Sequence, residues 1–101
     1  MRFPKHRPPT HPGETLLKDF LEPLAISQAE LAGAIHVPYQ RINELVNGKQ
    51  GVTLSTALRL AKFFGNSAEF WLNLQQNCEL YHLFKQEEEE ELNAILKFIR
   101  K

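Results

Sequence analysis

The sequence predicts an all-α fold, a five-helix bundle with an additional C-terminal helix. Three observations predict it. Apolar residues recur at helical spacing from Pro12 onward. Gly and Pro fall between those periodic segments. No run alternates strictly between apolar and polar, as a half-buried strand would. With 101 residues there is room for one domain plus an arm, because domains typically take ~100–150 residues.

The first helix is expected at 12–22. Pro12 suits a first-turn position, and Leu17, Phe20, Leu21 and Leu24 follow at i, i+3, i+4 and i+7. Pro23 is expected to stop it. The second helix is expected at 28–35. Ser27 with Glu30 three residues on forms a capping box, and Leu31, Ala34 and Ile35 make its apolar face. The third is expected at 39–47, ended by Asn47-Gly48 where positive φ is needed. The fourth is expected at 54–64. Thr53 caps it, Leu54, Ala57, Leu58, Ala61 and Phe64 face inward, and Gly65 ends it. The fifth starts after Ser67 and runs to about Phe84, with Trp71 read as core. The sixth, about 88–100, carries Leu92, Ile95, Leu96 and Ile99 on one face.

The flanks differ in charge. Residues 1–11 carry Arg2, Lys5, His6, Arg7 and His11 and no acid, with four prolines before residue 13. That is an extended basic arm, too proline-rich for a helix, which either reaches a partner or frays. Residues 87–91 are five consecutive glutamates, either a solvated helix start or an acidic patch.

Composition excludes several classes. The chain is 43% hydrophobic and 24% charged, which rules out global disorder. Twelve basic side chains balance twelve acidic ones, so bulk charge does not point to nucleic acid; only the placement of charges can. One cysteine excludes an intramolecular disulfide and a multi-cysteine zinc site. No apolar run approaches the ~20 residues of a membrane span. The N-terminus lacks an apolar h-region, so the expected compartment is the cytoplasm, with no membrane partner.

The informative stretch is 28–47, QAELAGAIHVPYQRINELVN. Two short helices flank the turn Ile35-His36-Val37-Pro38, the length a helix-turn-helix requires. Ala32 falls at the helix crossing, where a larger side chain would push the helices apart, and Val37, Ile42 and Leu45 pin the third helix. The opposite face of that helix carries Tyr39, Gln40, Arg41, Asn43, Glu44 and Asn47. Arg pairs with guanine and Gln or Asn with adenine, so this face suits base edges in a major groove. Any small helical bundle also has polar surface helices, which keeps a protein-interaction module open. His36 stands where this turn usually takes glycine, and His tolerates positive φ better than most residues.

Other constellations are weaker. Cys78 and His82 are i, i+4, but two ligands do not make a metal site, and Cys78 shares a stripe with Trp71, Leu74 and Tyr81. No spacing supports a Cys–His nucleophile, and Gly48 and Gly51 read as a helix stop and a turn rather than a phosphate loop. No catalytic residue, metal or cofactor is expected, and the chain is not read as an enzyme.

The segments HPGE at 11–14, RINELVNGK at 41–49, TALRLAKFFG at 56–65 and EFWLNLQ at 69–75 together are more specific than a generic helix-turn-helix. Residues 11–75 resemble the HigA-type antitoxins, also called the virulence-associated protein I group, within the XRE/Cro-repressor helix-turn-helix family. The resemblance implies a lambda-repressor-like bundle and a dimeric repressor of operator DNA. It also implies neutralisation of a RelE-like ribonuclease toxin encoded beside it. Carried onto matching positions, it makes Gln28 a phosphate contact at a helix N-terminus. It places Tyr39, Gln40 and Arg41 in the groove-entering turn, with Asn43 and Asn47 further along. Glu44 is expected to orient Arg41 at i, i+3, and Lys49 and Gln50 to meet phosphate. A regulator without a toxin stays open as an alternative.

This reading divides the chain into a basic arm at 1–11, a DNA-binding domain at 12–75 and a helical extension at 76–101. One helix-turn-helix reads too few base pairs to find a single promoter, so a two-fold homodimer is expected. Leu80, Leu83, Phe84, Leu92, Ile95, Leu96 and Ile99 are the candidate dimer interface, because a bundle complete by residue 75 has little core left for them.

Overall fold

The structure, a computed structural model, describes residues 9–85 and 88–99. Helix α1 is continuous from Pro12 to Leu24, but it changes gauge. Pro12–Thr15 is α-helical, Leu16–Leu21 is π-helical and Glu22–Leu24 is α-helical again. His11 caps the start, its Nδ1 accepting from the Gly13 amide over 2.9 Å. In the π turn the Glu22 amide donates to the Leu17 carbonyl, five residues back. The wider turn moves the apolar stripe. Leu16 and Leu21, five apart, are buried; Leu17 and Phe20 are half-buried; and Leu24 is exposed. Pro23 does not stop the helix as expected. The stop comes two residues later, at Ala25, which sits in the left-handed region at φ 55°, ψ 40°.

Helix α2 spans Gln28–Ile35 behind the full Ser27–Glu30 capping box, both of its hydrogen bonds 3.0 Å long. Helix α3 spans Tyr39–Val46, with Asn47 as cap and Gly48 at φ 74°. Helix α4 spans Leu54–Phe64, between the Thr53 cap and Gly65 at φ 76°. Helix α5 spans Ala68–Lys85, opened by Ser67, whose Oγ accepts from the Phe70 amide. The proposed division at 75/76 therefore falls within a helix. Helix α6 spans only Glu88–Ala94. The expected run to 100 is not there, and 95–99 is non-helical. A short helix gains its stability from packing, and Leu92, Ile95, Leu96 and Ile99 are all exposed. No strand occurs among the described residues.

The core is Leu16, Leu21, Leu31, Ile35, Ile42, Leu45, Leu60 and Trp71, closed by the small residues Ala32, Ala57 and Ala61. Phe20, Phe64 and Phe70 ring Trp71, with centroids 5.1–6.1 Å from it, and the Trp71 indole donates to Asn66 Oδ1. Burying each large apolar side chain contributes about 1.5–3 kcal/mol. Besides Leu24, three residues read as inward from the sequence point out: Ala34, Leu54 and Leu58. Helix α4 turns Ala57 and Ala61 to the core as expected but adds Thr56 and Leu60, which rotates Leu54 and Leu58 into solvent at 70% and 62% exposure. The molecule is long, 56 × 29 × 21 Å. Its C-terminal end leaves the core, since Leu80, Leu83 and residues 91–99 are exposed.

Candidate nucleic-acid interface

The angle between α2 and α3 is set by the turn at 35–38. His36 adopts φ 60°, ψ 47°, the left-handed conformation expected at that position. Its amide and that of Val37 both donate to the Ala32 carbonyl, which closes the end of α2. Ala32 is buried at the crossing, and Ile42 and Leu45 anchor α3 from below. Pro38 has the extended backbone of a helix cap but no side chain to serve as one. No side chain caps the first turn of α3, whose Arg41 amide turns back to the Pro38 carbonyl over 3.0 Å.

Helix α3 is also held at its other end. A methyl group at Gly13 would overlap the Leu45 carbonyl oxygen. Only glycine lets the start of α1 lie this close to the end of α3.

The outer face of α3 presents Tyr39, Gln40, Arg41 and Asn47 to solvent, with Asn43 half-buried. Asn43 Nδ2 donates to Gln28 Oε1 over 3.1 Å, so the first residue of α2 joins this face. Asn47 Nδ2 donates to the Asn43 carbonyl at 2.9 Å and to its Oδ1 at 3.3 Å. The side-chain oxygen and nitrogen of Asn43 are both engaged within the protein. The Tyr39 and Arg41 side chains are exposed and make no hydrogen bond among the described residues. Glu44 does not orient Arg41: its Oε2 accepts from Gln40 Nε2 at 3.4 Å, one helical turn back. The i, i+4 neighbour wins because it lies more nearly above the carboxylate.

Lys49 and Gln50 are exposed on the loop that leaves α3. Their amides donate to the Glu44 carbonyl at 2.9 and 3.3 Å, which folds the loop back under the helix. The loop is then pinned to α5. Gln75 Oε1 accepts from the Val52 amide over 3.1 Å, and Gln75 Nε2 donates to Glu79 Oε1 over 2.6 Å. A side chain at Gly51 would run into that glutamine. Gln75 escaped the sequence reading because a polar residue on a helix carries no mark of a partner 23 residues away.

The expected dimer residues Leu80, Leu83, Leu92, Ile95, Leu96 and Ile99 are exposed, while the Phe84 side chain lies outside the described residues. The arm at 1–8 and Glu87 also lie outside them. A hollow of about 450 Å³ is lined by His11, Gly48, Gln75, Cys78, Glu79, His82 and Leu83. Burial, and then the neighbouring His82, hold the His11 imidazole below its ordinary pKa; Glu14 pulls weakly the other way. Burial, and then Glu79, push the Cys78 thiol up, away from the reactive thiolate. No three His, Cys, Asp or Glu among the described residues are placed to hold a metal. No helix among them is long and apolar enough to cross a membrane.

Residues 17–71 match the family model described as helix-turn-helix. Virulence-associated protein I of Dichelobacter nodosus is 40% identical over 89 residues, covering 88% of this chain and 81% of the relative. Antitoxin HigA-1 of Vibrio cholerae serotype O1 is 41% identical over 91 residues, covering 89% and 84%. Among solved structures, Pseudomonas aeruginosa antitoxin HigA with higBA promoter superposes with a TM-score of 0.85 at 34% identity, over 90% of this chain and 99% of that one.

Proposed function

The chain belongs to the helix-turn-helix family that holds the HigA-type antitoxins, and from that membership we propose that it is an operator-binding repressor and the antitoxin of a toxin–antitoxin pair. One observation carries the DNA half: the polar face of α3, clamped at both ends, with Tyr39 and Arg41 pointing outward. In this reading Gln40 and Arg41 read base edges in the major groove. Lys49, Gln50 and the start of α2 at Gln28 hold phosphates. Tyr39 and Asn47 flank the readout, and Asn43 holds Gln28 in place.

The protein binds as a homodimer, because two half-sites supply the information one helix lacks. Leu80, Leu83, Phe84 and the 92–99 segment are the proposed self-complementary surface. The proposed partner outside DNA is a RelE-like ribonuclease toxin. The acidic run at 87–91, the basic arm at 1–11 and the exposed side of the first helix are its three candidate docking elements, the acidic run by attraction to a basic, RNA-binding surface.

Two measurements test the reading. The purified protein should retard its own promoter fragment, with affinity falling steeply as salt rises. Co-expression should rescue growth of cells making the neighbouring small protein. Failure to bind the promoter would remove the repressor role, and failure to rescue would remove the antitoxin role.

A further inference from the structure

Among the described residues two non-glycine residues hold positive φ, Ala25 and His36, and of these His36 lies inside the DNA-reading unit. Its Cβ makes the left-handed conformation costly, so something must hold the turn in place. Helix α4 supplies it. Arg59 Nη1 donates to the Ile35 carbonyl over 2.8 Å and to the His36 carbonyl over 3.4 Å. Its Nε donates to Ser55 Oγ over 3.2 Å, which fixes the guanidinium along α4.

These contacts suit the chemistry of the turn. The Ile35 carbonyl ends α2, where the helix leaves acceptors unpaired and carries partial negative charge. A guanidinium satisfies both at once, with donors in a rigid plane. Positions 35 and 36 immediately precede Val37 and Pro38, which launch α3. The fork therefore acts on the joint that sets the direction of the reading helix, while Arg59 itself lies on α4, away from the α3 face.

We propose that Arg59 is a positioning residue for DNA recognition: it fixes the left-handed His36 turn, and through it the angle at which α3 is presented. The inference rests on the operator-binding reading above. It makes His36 and Arg59 one unit, in which the arginine does the work that a glycine would do passively in the turn.

The test compares Arg59→Met, which keeps the stem and removes the donors, with His36→Gly and the double variant. In the free protein, the Val37 amide should exchange about tenfold faster in Arg59→Met, a hydrogen bond to a charged group being lost. Operator affinity should fall by about tenfold while binding to random DNA stays unchanged, because phosphate attraction does not depend on the helix angle. The double variant should regain most of both losses, since glycine holds the turn without strain. Wild-type operator affinity in Arg59→Met, a loss that His36→Gly does not restore, or an unfolded Arg59→Met chain would each overturn the proposal. If the wild-type protein itself does not bind the promoter, the operator-binding reading fails instead, and the exchange measurement still decides the clamp.

Discussion

Asn43 and Gln28 are joined across the two helices of the reading unit, the Asn43 amide donating to Gln28 Oε1 over 3.1 Å. This changes the role of Asn43. Its oxygen takes the Asn47 amide, so its side chain is committed to the protein and poorly placed to discriminate bases. Asn43→Ala and Gln28→Ala should each weaken operator binding, and the double variant should be no weaker than the worse single one. The coupling energy expected for such a pair is about 0.5–3 kcal/mol. Base preference across single-base operator variants should stay as in the wild type; a shift would show that Asn43 reads a base.

Arg41 and Lys49 should behave differently from each other. Arg41→Ala is expected to cost about 1–3 kcal/mol and to relax preference at one base pair, as loss of a bidentate contact does. Lys49→Ala should weaken binding to all sequences alike and lower the salt slope by about one. Mobility-shift titrations at several salt concentrations separate the two. If Gln40→Ala and Arg41→Ala both bind like the wild type, α3 is not the reading helix.

Acid should loosen the N-terminus of α1. His11 Nδ1 must be unprotonated to accept from Gly13, and burial holds its folded-state pKa below the ordinary imidazole value. The unfolded chain therefore binds the proton first. The stability from this cap is fully present above the unfolded value and is lost as pH falls through it toward the folded one. The melting temperature should start to drop as pH falls below about 7, near the ordinary histidine range, and His11→Asn, which caps without titrating, should flatten that drop. Equal slopes for the two proteins would show that His11 is not responsible.

Ala25→Gly should stabilise the fold. The left-handed conformation at φ 55° costs an alanine more than glycine loses through its freer unfolded chain. A net gain of about 0.5–1 kcal/mol, or roughly 4 °C in melting temperature, is expected in calorimetry. A lower melting temperature would count against the strain.

The oligomer can be dissected with charge. The exposed apolar residues include the 92–99 segment at one end and Leu54 with Leu58 on α4. Ile95→Asp with Ile99→Asp should give a folded monomer with much weaker operator binding, whereas Leu58→Asp should leave the dimer intact. Light scattering reads the mass directly. The reverse pattern would move the interface to α4.

Much of the fold was legible because local chemistry states it. Ser27, Thr53 and Gly65 mark helix ends by hydrogen bonds or φ values that few other residues provide. The helix-turn-helix was legible from spacing, and the left-handed His36 from its place in the turn. The π turn was not, because Leu16 and Leu17 are equally apolar and only packing selects which is buried. For the same reason Leu54 and Leu58 read as core: a leucine looks alike on either edge of a helix. The length of α6 depended on a tertiary partner that its apolar stripe does not find. The clamps by Arg59 and Gln75 join residues over 20 positions apart, and no local pattern announces such a bond.

The elongated outline has a practical consequence for how this molecule moves through water. A rounded chain of about 100 residues has a radius of gyration near 13 Å, and this one has 16.7 Å. A single copy drags like a heavier sphere and tumbles slowly about its short axes. On a sizing column it should emerge early, where a rounder protein of greater mass would, and a calibration curve would report two copies where there is one. Diffusion alone cannot count the chains of a rod.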